Sequence, residues 1–123
     1  MAGTTQFGPL RSYPTTSDLS AGRGKAVTWD GTTLAIAGAN ARHILGVLVD
    51  DPKSGQAGTV QVYDACIIRA GASFAAGVPL VTDATGRFVP AITGQFVQAL
   101  AIDAAGAADV YVTVELGARA VAV

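Results

Sequence analysis

No apolar run in this chain lasts more than a few residues before a turn signal breaks it. Asp30-Gly31 divides Lys25–Trp29 from Thr33–Ala37, and Asp83-Ala84-Thr85-Gly86 divides Val78–Thr82 from Arg87–Ala91. Asp50 to Gly58, DDPKSGQAG, reads as an exposed loop. An Asp-Gly pair between two apolar runs is a hairpin signal. Runs this short, rich in Val and Ile and interrupted by Gly, favour strands over helices. They also fall far below the roughly 20 apolar residues that span a bilayer.

The remaining segments fit the same pattern. Arg42–Val49 is dense in Ile, Leu and Val, and Thr59–Asp64 alternates with Val60 and Val62 on one face. Cys66–Arg69, Gln95–Ile102 and Asp109–Leu116 complete the set. The alanine-rich stretch Ala99–Ala108 is the one place where composition invites a helix, and a single helical turn fits near Ala72–Gly77. The expected fold is all-β, a small sandwich or barrel of about eight short strands. Residues 1–18 differ: they carry Pro9 and Pro14, many Ser and Thr, and no hydrophobic period. They read as an extended N-terminal arm, with residues 19–123 as the β domain.

An offset of 53 lays Gly24 on Gly77, Asp30 on Asp83, Thr32 on Thr85, Ile44 on Val97, Val47 on Leu100 and Asp50 on Asp103. An offset of 50 lays Val60 and Val62 on Val110 and Val112. Two repeated four-strand units would give this pattern. Chance overlay of Ala- and Val-rich sequence would give it as well.

Composition then limits function. Ala and Gly fill 39 of 123 positions, and charged residues make up 14%, against about 25% in an average soluble domain. A surface this neutral suggests one that is covered. A net charge of −1 argues against a nucleic-acid binder, which needs a basic face. The N-terminus has no apolar stretch resembling a signal peptide. The chain is expected to be made in the cytoplasm, with no membrane partner.

Catalytic and cofactor motifs are weak throughout. Gly22-Arg23-Gly24-Lys25 has Leu19 and Ala26 where a phosphate loop needs Gly and Ser or Thr. Asp50-Asp51 is followed by Pro52, Lys53, Ser54 and Gly55, which is no calcium loop. Glu115 is the single Glu, His43 the single His and Cys66 the single Cys, so paired-Glu chemistry is excluded and no disulfide forms within the chain. Trp29 precedes a turn and suits core or rim packing, and the eight aromatics do not interleave with Lys or Arg. The expectation is a protein without enzymatic activity, cofactor or metal.

The run LSAGRGKAVTWDGTTLAIAGANARHILGVLV, from Leu19 to Val49, has a Gly-rich lead-in, a strand, an Asp-Gly turn and an Ile-x-Gly-Val strand. Downstream, AGTVQVYDACIIRAGASFAAGVPLVTDATGRF adds an alternating Val strand, an Ala-Gly-Ala step, a Gly-x-x-Leu strand and an Asp-x-x-Gly turn. Over residues 19 to 116 this layout resembles the small all-β capsid cement (decoration) proteins of tailed bacteriophages. It departs from them at Asp64-Ala65, where Gly is expected, and in the arm, which has no counterpart.

The resemblance implies a virion protein on the capsid exterior, a major capsid protein as partner and a homotrimer. It implies a mechanism of binding, each copy reinforcing the shell. The alternative is a carbohydrate- or receptor-binding β module of a head or tail fibre. Candidate contact residues are Phe7, Leu10 and Tyr13, spaced three apart in the arm, which could add a strand to a neighbour's sheet edge. Leu48, in the doubly apolar Ile44–Val49 strand, and Val121, in the apolar C-terminal segment, complete the set.

Overall fold

A computed structural model describes residues 10–117. These residues form ten strands and no helix: β1 (Leu10–Pro14), β2 (Ala26–Trp29), β3 (Leu34–Ile36), β4 (Gly46–Leu48), β5 (Ala57–Gln61), β6 (Asp64–Arg69), β7 (Pro79–Thr82), β8 (Phe88–Pro90), β9 (Ala99–Ala101) and β10 (Tyr111–Leu116). They build two five-stranded antiparallel sheets, ordered β1-β5-β4-β2-β3 and β6-β10-β9-β7-β8. The all-β expectation holds. The helical turn expected near Ala72–Gly77 is absent; Phe74 instead forms an isolated bridge with Ala105. The alanine-rich stretch begins as β9 and continues in turns.

The two orders are the same order, since replacing each strand of the first sheet by the one five places later gives the second. The agreement extends to single hydrogen bonds. Gly24 N–H donates to Leu48 O, and Gly77 N–H to Ala101 O; Leu48 N–H donates to Lys25 O, and Ala101 N–H to Val78 O. Leu45 N–H to Val27 O matches Gln98 N–H to Leu80 O, and Leu19 N–H to Pro52 O matches Phe74 N–H to Ala105 O. Gly24 and Gly77 both have positive φ, 81° and 86°, which glycine adopts without steric penalty. The chain is thus a duplicated five-strand unit.

Two sequence expectations change. The unit has five strands, because residues 10–14 of the expected free arm form β1, paired along β5 from Leu10–Gln61 to Pro14–Ala57. The second offset is also different. Leu48 pairs with Val60, and Ala101 with Val114, so Val60 corresponds to Val114, an offset of 54. The overlay of Val60 on Val110 was a false register in Val-rich sequence, where a slip of even length keeps the alternation intact.

Each unit has its own core. In the first, Leu19, Val27, Leu34, Leu48 and Val60 are buried together, with Tyr13, Trp29 and Ile36 packed around them. In the second, Cys66, Ile68, Phe74, Leu80, Phe88, Val114 and Leu116 are buried, joined by Ala26, Ala37 and Val47 from the first sheet. Successive residues of β4 therefore serve different cores, Val47 one and Leu48 the other, as the two-residue period of a strand requires. Gly46 in β4 is obligatory, because a Cβ there would collide with the carbonyl oxygen of Gln61 on the neighbouring strand β5.

The joint between units is tied by the backbone. Arg69 N–H donates to Gly24 O at 2.8 Å and Ala26 N–H donates to Gly86 O at 2.8 Å. Register places Pro14 where Arg69 stands and Pro79 where Ala26 stands. Neither proline has an N–H to give. The joint is asymmetric, and the same bonds cannot form at the outer ends of the pair. The link from β5 to β6 is held by buried Gln61, whose Nε2 donates to Tyr63 O and Ala65 O at 3.0 and 2.6 Å. Asp64 takes φ 78° there, and its carboxylate accepts the Ala65 N–H at 2.9 Å. Asp is among the few side chains that tolerate this conformation, which accounts for its place where glycine was expected.

Candidate interaction surfaces

Of the five residues singled out from sequence, the structure describes Leu10, Tyr13 and Leu48. Phe7 and Val121 lie outside the described residues. Leu10 opens β1 and is 49% exposed. Tyr13 is half-buried, with its ring 5.1 Å from that of Trp29 at 54°. This places Trp29 in rim packing. Leu48 is fully buried in the first unit's core, so its side chain has no surface to offer a partner; both faces of β4 are apolar because both are covered from within the chain.

The arm reading also changes in kind. Leu10 to Pro14 complete the edge of their own sheet. The segment after them is tied down: Thr15 is buried, and its Oγ1 donates to Lys53 O at 3.2 Å and Gln56 O at 2.9 Å. Sequence reasoning took the prolines and hydroxyl residues as signs of an extended arm outside the β domain. The signal that could have corrected it was the repeat itself, since β6 also has a partner one unit earlier.

Sequence reasoning offered Trp29, Tyr63 and Tyr111 as surface aromatics and missed the exposed Ile92 and Ile102. Ile92 is 68% exposed, Tyr63 56%, Ile102 49% and Tyr111 47%. Ile92, Tyr63 and Ile102 stand in turns and links and Tyr111 opens β10, so no periodicity marks them. It also missed a cleft of about 430 Å³ at the joint, lined by Arg23, Gly24, Leu48, Val49, Ile67 and Tyr111. Leu48 underlies it without exposed surface. Arg69 holds the Tyr111 that lines it: the guanidinium lies 5.3 Å from the Tyr111 ring centre, donates to the Tyr111 hydroxyl at 2.6 Å, and donates to Ala21 O at 3.3 Å.

The polar groups elsewhere are engaged in turns. Asp83 accepts the N–H groups of Thr85 and Arg87, both at 2.9 Å, and bridges to the Arg87 guanidinium, which also reaches Asp109. These carboxylates keep the Arg87 charge more firmly than usual, Asp109 contributing most. Asp30 caps its own hairpin by accepting from Thr33 and Thr32, which lowers its pKa. Burial pushes the Cys66 thiol up to about 12, so it stays protonated and is a poor nucleophile. His43 is exposed. Among the described residues no three His, Cys, Asp or Glu side chains come together as metal ligands would.

No family model matches the chain, and no curated protein matches it. Among solved structures the chain is similar to the N base of the head fiber gp8.5 of bacteriophage phi29, with a TM-score of 0.74 at 20% identity, covering 89% of this chain and 93% of that one. The two share a fold over nearly their whole lengths. At this identity the likeness speaks to the arrangement of strands and leaves side-chain chemistry to be argued from the surface itself.

Proposed function

We propose that this chain is a structural protein of a phage head, which binds the outer surface of the assembled capsid as a trimer and stabilises it. The observation that carries this reading is the shared fold, nearly end to end, with the base of a phage head fibre. The surface supports it in a second way. Charge is scarce, while Ile92, Tyr63, Ile102, Leu10 and Tyr111 leave apolar area in water. Such side chains lower free energy when a partner covers them, by about 25 cal/mol per Å². An interface of standard size buries about 1,600 Å², and a trimer holding three sites gains further through effective concentration. The chain acts by binding energy and has no catalytic role.

A second reading keeps the chain on a phage head as the base of a fibre, because that is how the structural neighbour is described. A glycan-binding version needs two or three aromatic rings on one surface. The Tyr111 ring already carries Arg69 on one face, which disfavours it. The test is to mix the purified chain with capsid shells that lack it. Regular extra density on the shells supports the proposal; no binding, with binding to a glycan array instead, supports a receptor module.

A further inference from the structure

We propose that the cleft between the two units receives an acidic side chain flanked by apolar residues from a segment of the capsid shell. This names the chemistry of the partner and rests on the capsid-binding reading above. The walls are aliphatic, from Val49 and Ile67 with Leu48 beneath, and Tyr111 closes one side. The volume, about 430 Å³, falls in the range of roughly 300–1,000 Å³ that suits a small ligand or a few side chains.

Among the described residues the charge in the cleft meets no carboxylate. Arg23 lines it and is exposed. Among the described residues the ion pairs are those of Arg87, so neither Arg23 nor Arg69 meets a carboxylate. Arg69 is held in place by Tyr111 and Ala21, neither of which neutralises its charge. A pre-positioned guanidinium beside apolar walls suits a carboxylate, which it can bind through two N–H groups.

The duplication shows that the fold does not need these cations. The residue equivalent to Arg23 is Ala76, one before Gly77, and the residue equivalent to Arg69 is Pro14. The second unit builds the lead-in without the first cation, and the first unit builds the strand without the second. Both arginines therefore stand at the joint for something outside the shared framework. Aliphatic walls, with the aromatic ring already covered on one face by Arg69, favour a peptide over a sugar.

The test has two arms. In the first, the ¹⁵N-labelled full chain is titrated by NMR with the capped tripeptide acetyl-Leu-Asp-Leu-amide, its Leu-Asn-Leu counterpart and N-acetylneuraminic acid. The expected result is saturable shifts at Arg23, Gly24, Val49, Ile67 and Tyr111 with the Asp peptide. The affinity should fall by at least about tenfold with the Asn peptide and in Arg23→Ala. Equal response to Asp and Asn peptides, response to the sugar alone, or no localised shift overturns the proposal. In the second arm, Arg23→Glu is compared with Arg23→Lys and the parent chain on capsid shells. Binding lost in the first and kept in the second supports the cleft. Shells that bind the parent and Arg23→Glu equally overturn the cleft while leaving the proposed function standing. Shells that bind no version overturn the proposed function, and the cleft proposal, which names a shell segment, falls with it.

Discussion

Gly24 and Gly77 occupy the same place in the two halves, each with positive φ and each donating its N–H to the last residue of the corresponding strand, Leu48 and Ala101. Their surroundings differ. A Cβ on Gly24 would lie 2.9 Å from both the Arg69 nitrogen and the Tyr111 ring, whereas a Cβ on Gly77 would meet nothing within 4 Å. Gly77→Ala is expected to cost about 1 kcal/mol, the penalty of a left-handed alanine. Gly24→Ala adds a backbone collision at the joint and is expected to cost about 2–4 kcal/mol, within the range for overpacking and strain. Chemical denaturation of the two variants checks this; equal losses would contradict the asymmetry of the joint.

Leu48 and Ile92 separate stability from binding. Leu48→Ala empties a fully buried site and is expected to cost about 2–5 kcal/mol. Ile92 is 68% exposed, so Ile92→Asp should leave the melting temperature within a few degrees of the parent, as surface changes do. If Ile92 faces the capsid, the same variant should bind shells at least about tenfold more weakly, a loss of about 1.4 kcal/mol.

The thiol of Cys66 should be silent in the folded chain. Its pKa is raised by burial, so the folded state prefers the neutral form. The stability tied to that preference is present below the unfolded thiol's value of about 8.5 and is lost as pH rises toward about 12. Ellman's reagent at pH 8 is expected to react only as the chain unfolds. Rapid labelling of the native protein would contradict the core assignment.

The hairpin cap at Asp30 works in the opposite direction. Its folded pKa is lowered by the N–H groups of Thr33 and Thr32, so its contribution is present above about pH 4, the unfolded value, and is lost as pH falls through the folded value. Asp30→Ala should therefore be less stable than the parent at pH 7. The difference should shrink on acidification, which thermal melts across pH 2–7 would follow.

Removal of the N-terminus should divide at β1. Deleting residues 2–9 spares every described contact. Deleting residues 2–16 removes the β1–β5 pairing and the buried Thr15 with its bonds to Lys53 and Gln56, and is expected to lower the melting temperature markedly. Melts of both truncations check this, and equal stability would show that β1 contributes little.

The strands flanked by turn signals were legible, because Asp30-Gly31 and Asp83 to Gly86 bound their hairpins by local chemistry that needs no partner. The first repeat offset was legible for the same reason. What escaped the sequence depended on distant segments. Pro14 ends an edge strand, where a missing N–H costs nothing, and locally that looks like an arm. Leu48 looked like an interface residue because an apolar strand carries no mark of what covers it. Arg23 and Tyr111 lie far apart in sequence and line one cleft only once both units have folded.

The most direct test of the central claim is cryo-electron microscopy of capsid shells lacking this protein, incubated with the purified chain. Trimeric density of this fold is expected at regular positions on the outer surface, with shells that withstand heating better than bare ones. Shells that stay bare at saturating protein, or density confined to the tail, would contradict it.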